Sequence, residues 1–551
     1  MRFLVPLLLS ASLAASPAVV EGSREIDCEP FAFREVAEAV GVFFVHHRGS
    51  TPEKRLPETM GSGLAWLDAD GDGWLDLYLV QSGPSDEPAS PEAANRLFRN
   101  VGGRFVEVRE AGGAGDRGYG QGVVAGDFDG DRSVDLYVTN RAVDRFYRNR
   151  GDGTFEVGAP GVADWSSSAA FADGDGDGDL DLYVTRYLDL ETGEPIFCGD
   201  PETGERRYCD PSLFEGLGDR YLENLGPEGF SNRTEEAGLA SADGRGLGVL
   251  FTDLTGDGAP DLYTANDLTL NLLFRNRGDG TFEDLSLLSG AAVNLEGKAE
   301  AGMGLAVGDV DGDLDPDLAV TNFDVETNTL YRNEGDLFFL DVSAESGFGV
   351  PSFNRLAFGL VMADFDGDGI LDAYVGNGHI FEDPAREHVQ YEQPDQLFRG
   401  VGKGGFLEVP CPALGELAQV TRGVAAGDYD DDGDLDLGVQ ANGGRFQLLE
   451  NEISTRWIGV RLRGPSPNTG GIGAKVELTT DRRRRVSWVL AGSSYQSSSD
   501  PRILFSLGEE ETPLALEVVW PWGRGRTRIR TPATGGYLEV VQPENEMEPR
   551  G

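Results

Sequence analysis

Residues 172–184 read ADGDGDGDLDLYV: aspartate stands at positions 173, 175, 177, 179 and 181, and the chain then turns apolar. Alternate residues of a β-strand share one face, so a strand here would stack five carboxylates with nothing to neutralise them. The stretch is therefore read as a loop that gathers acids around a cation, with a short strand starting at LYV. It has six relatives: DADGDGWLD from 68, DFDGDRSVD from 127, DLTGDGAPD from 253, DVDGDLDPD from 309, DFDGDGILD from 364 and DYDDDGDLD from 428. The seven copies start 60 residues apart on average, and the longest interval, 80, holds a cysteine-bearing insertion.

Each acidic loop runs into a short apolar strand. Most copies then continue with a second phrase, as in NRLFRNVGGRFVEV from 95 and NLLFRNRGDGTFED from 271. That phrase is a strand, a glycine-rich turn and another strand, which signals a hairpin. Another apolar run with glycines, such as GQGVVAGD from 120, precedes each loop. Four short antiparallel strands in each of seven repeats predict an all-β fold, a seven-bladed β-propeller, with a linear solenoid as the alternative. The N-terminal segment 31–41, FAFREVAEAVG, matches the last-strand phrase but stands before the first acidic loop. A closed ring uses such an out-of-phase fragment to complete its final blade; an open solenoid has no place for it.

In D-x-D-x-D-G-x-x-D, side chains at positions 1, 3, 5 and 9 can surround one cation while the main-chain carbonyl at position 7 adds another oxygen. This assigns Asp68, Asp70, Asp72 and Asp76 to the first site, Asp127, Asp129, Asp131 and Asp135 to the second, and Asp173, Asp175, Asp177 and Asp181 to the third. Asp253, Thr255, Asp257 and Asp261 form the fourth, Asp309, Asp311, Asp313 and Asp317 the fifth, Asp364, Asp366, Asp368 and Asp372 the sixth, and Asp428, Asp430, Asp432 and Asp436 the seventh. Asp179 is expected to give only its carbonyl and to point its side chain outward. Hard oxygen donors in this number suit calcium, Ca2+, better than magnesium or a soft metal. An EF-hand would need glutamate at position 12, where these loops carry Leu79, Val138, Val184, Thr264, Val320, Val375 and Val439. The metal is expected to be structural, holding together carboxylates that otherwise repel.

The formal net charge of −49, from 95 acidic and 46 basic residues, opposes contact with nucleic acid or an anionic membrane. At the N-terminus, one arginine, an apolar run from Phe3 to Leu13 and small residues around Ala14 to Ala18 read as a secretory signal over residues 1–20. The apolar run is well short of the ~20 residues that span a bilayer. An even cysteine count in an exported chain predicts disulfides. Cys198 and Cys209 are expected to pair within the insertion, leaving Cys28 with Cys411.

The acidic loop followed by LFRNRGDGTF resembles the FG-GAP or VCBS-type repeats of integrin-like propellers. The segments RWIGVRLRG from 456, GGIGAKVEL from 470, AGSSYQSSSDPRILFSLG from 491 and VVWPWG from 518 resemble the ASPIC/UnbV domain. Together they are similar to the cartilage acidic protein family, and the resemblance implies a secreted calcium-binding protein without an assigned reaction. It divides the chain into a propeller over 21–453, a small β domain over 454–541 and a tail over 542–551. Arg132, where the pattern has glycine, and Thr255 depart from the repeat, which makes the second and fourth sites weaker.

If the acidic loops join strands 1 and 2 on one face, strand 2 delivers Asn140, Arg141, Arg186, Tyr187, Asn266, Asp267, Asn322, Asp324, Asn377 and His379 to the other. The insertion with Cys198 and Cys209, the entry segment with His46, His47 and Glu58, and His388 fall there too. Two functions follow. The first is a non-enzymatic module that presents this face to an extracellular protein or glycan. The second is a carbohydrate-active enzyme, of lyase or dehydratase type, with His47, Glu58 and His379 converging at the mouth of the channel. Residues 454–541 carry 13 basic and 8 acidic residues. Arg482 to Arg485 read as a solvated hairpin turn, with docking onto the acidic propeller as the alternative.

Overall fold

Each repeat folds as a four-stranded antiparallel sheet in simple up-and-down order, as in Leu64–Leu67, Asp76–Leu79, Arg96–Asn100 and Phe105–Val108 of blade 1. The structure is a computed structural model that describes residues 22–83, 93–191, 196–241, 244–381 and 389–543. The signal reading at 1–20 and His388 lie outside the described residues.

Seven such sheets are present, and the first strand of each packs beside the first strand of the next, from Leu64–Leu67 round to Thr421–Gly427 and back. The ring is closed, as the out-of-phase fragment required. Phe31–Glu35 pairs antiparallel with Gln447–Asn451 and supplies the fourth strand of blade 7. Arg24–Cys28 adds a fifth strand outside it, which the repeat pattern did not predict. Cys28 is bonded to Cys411, and Cys198 to Cys209.

Glycine stands at the entry to two inner strands, where the chain meets its neighbours most closely. A Cβ on Gly63 would lie 1.8 Å from the Gln496 carbonyl oxygen, and one on Gly304 would lie 2.0 Å from that of Phe358. Both contacts are closer than any side chain permits, so glycine sets how tightly the ring closes. Between blades lie the apolar clusters, including Leu64, Trp66, Leu77 and Phe98 with Ala425 and Leu448 of the neighbouring blade.

The C-terminal region forms two further sheets. Arg456–Arg463 pairs antiparallel with Ile503–Leu507 and parallel with Tyr537–Val541. Lys475–Thr480 pairs with Arg484–Trp488 on one side and Pro513–Val519 on the other, and Arg526–Arg530 completes that sheet. Their shared core of Ile458, Val476, Leu516 and Trp520 is continuous with Val124, Phe171 and Leu182 of blades 2 and 3.

From this domain the segment GSSYQSSSD, residues 492–500, enters the propeller channel. Its backbone and hydroxyls bond to six of the seven inner strands: Ser498 N to Leu64 O at 2.9 Å, Val123 N to Gln496 O at 3.0 Å, Gln496 N to Ser168 Oγ at 3.0 Å, Ser494 N to Leu305 O at 2.7 Å, Leu360 N to Ser494 Oγ at 3.0 Å, and Asp500 N to Ala426 O at 2.9 Å. The channel is filled by the chain itself.

Candidate functional site

The ninth aspartate of every acidic loop is a clamp. In blade 4, Asp261 Oδ1 accepts the backbone N–H of Asn276 at 2.9 Å and Oδ2 accepts that of Leu254 at 3.0 Å, which binds the loop to strand 3. The same two bonds recur at Asp76, Asp135, Asp181, Asp317, Asp372 and Asp436. All seven ninth-position residues are buried.

The asparagine of the RN phrase carries the bond to the preceding blade. Asn276 Nδ2 donates to Pro260 O at 3.1 Å in its own blade and to Gly174 O at 2.8 Å in blade 3. Asn100, Asn149, Asn224, Asn333 and Asn451 repeat this tether. Blade 6 has Gly400 instead, and the Gly404 N–H reaches Val310 O at 2.9 Å in its place. Sequence reading took this phrase only as a hairpin, although its recurrence was the available signal. Asn276→Ala is expected to cost about 1–3 kcal/mol in urea denaturation, because two buried carbonyls lose their donor.

Several of the acidic clusters can hold a metal ion. Carboxylate oxygens of Asp68, Asp70 and Asp72 lie within 4.8 Å of one another, as do those of Asp127, Asp129 and Asp135, of Asp173, Asp175 and Asp177, of Asp309, Asp311 and Asp317, and of Asp364, Asp366 and Asp372. Asp68 Oδ1, Asp364 Oδ1 and Asp430 Oδ1 are buried and accept no hydrogen bond among the described residues. Burial first, and neighbouring carboxylates second, push Asp135 and Asp372 each up to about 8. The donor set is all oxygen, and its inward, unpartnered atoms fit a hard cation.

Two details differ from the expectation. Asp179 does not point outward: its Oδ1 is buried and unpartnered, and it faces Asp177 and Asp175. The sixth position has positive φ even where it is not glycine: Arg132 at 79° and Leu314 at 80°. Each such residue costs on the order of 1–2 kcal/mol against glycine. Leu314 was visible in the sequence as a departure like Arg132 and was overlooked.

The C-terminal domain lands on this face and touches all seven loops. Arg461 Nη2 donates to Gly73 O at 3.1 Å, Thr469 Oγ1 to Asp127, and Lys475 Nζ to Leu314 O at 2.8 Å. Arg524 pairs with Asp173 at 3.0 Å while the Trp522 backbone N–H reaches Gly258 O at 2.7 Å. Arg483 Nη2 donates to Asp368 O at 2.5 Å, Arg502 pairs with Asp431 at 2.8 Å, and Tyr537 donates to Asp428 at 2.7 Å. The 482–485 run is therefore not a simple solvated turn. Arg482 is exposed, whereas Arg483 docks on the sixth loop because the acidic propeller face offers its carbonyls.

On the opposite face the entry segment and insertions gather. The His47 backbone N–H donates to Gln81 Oε1 at 2.6 Å, Arg48 bonds Tyr391 through its guanidinium, and Tyr208 of the disulfide loop donates to Glu58 at 3.1 Å. His47 itself is exposed. Glu58 Oε1 accepts from Thr51 and Arg55 backbone N–H groups, both at 3.2 Å. His379 is fully buried, with Nδ1 on Phe381 O at 2.8 Å and Nε2 3.7 Å from Asp324. The three proposed catalytic groups thus serve separate networks. What joins their segments is Arg422, fully buried, which donates to Thr59 O at 2.9 Å and Gly378 O at 2.9 Å and stacks 3.8 Å over Phe358.

His46 is a further buried group here. Its Nδ1 accepts the Gly443 N–H at 3.0 Å, and its Nε2 lies 3.0 Å from Ser82 Oγ and 3.3 Å from the Ser82 backbone N. Burial first, then His47, Arg422 and Arg48, push it down to about 3. Its neutral form is favoured in the fold, so stability is full above about pH 6.5 and is lost as pH falls toward 3. His46→Gln is expected to flatten that part of the pH–stability curve by a few kcal/mol, measured by denaturation between pH 7 and 4.

The comparisons follow this architecture. Residues 464–547 match the ASPIC and UnbV family, and residues 68–138, 127–184, 253–320 and 309–375 match the FG-GAP-like repeat. Cartilage acidic protein 1 of Homo sapiens is 27% identical over 533 residues, 89% of this chain and 73% of that one. Over most of its length the chain is similar to cartilage acidic protein 1. The Xenopus tropicalis protein is likewise 27% identical, over 547 residues covering 89% of this chain and 75% of its own. Among solved structures, an Agrocybe aegerita lectin that recognises non-reducing terminal N-acetylglucosamine is 17% identical at TM-score 0.36, over 64% of this chain and 80% of that one. At that score the likeness carries no argument. The two disulfides fit an extracellular protein, and no helix among the described residues is long and apolar enough to cross a membrane.

Proposed function

We propose that this chain is a secreted calcium-binding β-propeller that presents the face opposite its acidic loops to an extracellular protein or carbohydrate partner. In this reading residues 1–20 are a removed signal, 21–453 are the propeller and 454–541 are its docked companion. The observation that carries it is the placement of the C-terminal domain: it covers the acidic face at all seven loops and fills the channel, so a partner has the opposite face to meet. That face gathers the entry segment, the disulfide-tied insertion and the blade 6 loop around Arg48, Tyr208 and Tyr391. The insertion exposes Ile196, Phe197 and Leu213, with the Arg206 guanidinium 5.0 Å from the Phe197 ring. Exposed aromatic and arginine groups of this kind anchor interfaces.

Calcium is the cation that the donor chemistry favours, and its role is to hold the blades rather than to react. No reaction is assigned. The test is binding of extracellular proteins and glycans by the full chain, with calcium and with chelator. Phe197→Ser with Leu213→Ser is expected to abolish binding, while substitutions on the outward side of the C-terminal domain leave it intact. Binding that survives the paired change would overturn the choice of face.

A further inference from the structure

The seventh position of the acidic loop is aspartate in three copies, Asp179, Asp315 and Asp434, and the structure treats them differently. Asp315 is exposed, as expected of a position that lends only its carbonyl. Asp434 is 6% exposed, and both of its carboxylate oxygens are buried without a hydrogen bond from any described residue. The charges that press on it are those of Asp432, Asp430 and Asp428, and it presses in turn on Asp436. Asp430 Oδ1 is also buried and unpartnered.

Among the described residues no cation forms an ion pair with Asp430, Asp432, Asp434 or Asp436. Arg502, the arginine that reaches the loop, directs Nη1 to Asp431 Oδ1 at 2.8 Å, Nε to Asp500 Oδ2 at 2.7 Å and Nη2 to the Asp428 carbonyl at 2.7 Å. Carboxylates out of water with no donor need a shared positive charge.

We propose that the seventh loop binds its cation through five side-chain carboxylates, Asp428, Asp430, Asp432, Asp434 and Asp436, with Asp434 a direct ligand through its side chain. The inference rests on the calcium reading above and deepens it. Ligand charge count tunes affinity in oxygen sites, so this loop is the tightest of the seven and prefers trivalent ions most strongly. Asp179, with one buried unpartnered oxygen, is a partial copy in the third loop. The position suits a latch. Asp436 Oδ1 holds Asn451 at 2.8 Å in the blade that the N-terminal strand completes, and Tyr537 of the C-terminal domain bonds Asp428.

The loop carries its own reporter. A Cβ on Gly433 would lie 1.9 Å from the Trp457 ring, so that indole packs directly on the loop and can sensitise terbium bound there. Terbium titration of the full chain, with the Trp457→Phe signal subtracted, reads the seventh site. Asp434→Asn is expected to weaken half-saturation about tenfold or more, whereas Asp315→Asn leaves it unchanged. A terbium difference map of the unsubstituted protein should place an Asp434 oxygen among the ligands, whether or not the variant folds. Equal titrations of Asp434→Asn and Asp315→Asn, or a map with Asp434 outside the ligand shell, would overturn the proposal and point to a proton shared with Asp432. Absence of both terbium and calcium binding at every loop would instead overturn the calcium reading itself.

Discussion

Removal of calcium by a chelator is expected to lower the melting temperature by about 15 °C. A cation held at 100 times its dissociation constant adds about 2.7 kcal/mol. Seven sites of that strength add roughly 19 kcal/mol, more than the ~5–15 kcal/mol of an ordinary domain. With an unfolding entropy of about 2.1 cal/mol/K per residue, a chain of 551 residues loses on the order of 1 °C per kcal/mol. The structural route is direct. Each loop ends in the buried aspartate that clamps strand 3, and the second position of most loops gives its carbonyl to the asparagine of the next blade. A loop pushed open by its own charges therefore loosens two blades. Scanning calorimetry with calcium and with chelator checks this; a shift below about 3 °C would show that the loops do not need a cation.

Tyr495→Ala is expected to destabilise the protein by about 3–5 kcal/mol, the range for truncating a large buried aromatic. Tyr495 is fully buried at the tip of the channel segment. Its hydroxyl donates to Met60 O at 3.0 Å, and its ring meets Phe358 edge-on at 5.0 Å, beside the guanidinium of Arg422. Removing the ring leaves a cavity at the point where the C-terminal domain, the channel and the entry segment meet. Tyr495→Phe keeps the packing and loses only the hydroxyl, so it should cost about 0.5–1.5 kcal/mol. Urea denaturation separates the two. Limited proteolysis should show earlier release of the C-terminal domain in the alanine variant, and an alanine cost under 1 kcal/mol would mean that the segment fills the channel without anchoring it.

Much of the fold is legible because the repeat states the same local rule seven times. A loop of alternating aspartates and glycines cannot be a strand, and the apolar stretch after it opens the short second strand of the blade, as in Asp181–Arg186. The fragment at 31–41 betrayed closure by standing out of phase. The clamp role of Asp261 and the tether role of Asn276 were present as recurrence yet unreadable as chemistry, since each depends on a partner in a different strand or blade.

The three candidate groups fall into separate hydrogen-bond networks for a related reason. His47, Glu58 and His379 share a face by topology, but which way a side chain turns is settled by its neighbours. Glu58 turns to its own short helix and Tyr208, and His379 is buried against Asp324. The outward orientation expected for Asp179 failed in the same way, because position within a loop pattern does not specify rotamer.

The sequence by itself determined the all-β repeat, the blade number, the closing strand and both cysteine pairs, because these follow from periodicity, from register and from pairs that are few. Only the tertiary structure decided that GSSYQSSSD fills the channel and that arginines and tryptophan of the last domain rest on the acidic loops. Those contacts have no local signature: small polar residues bond to inner strands that become neighbours only after the ring has closed.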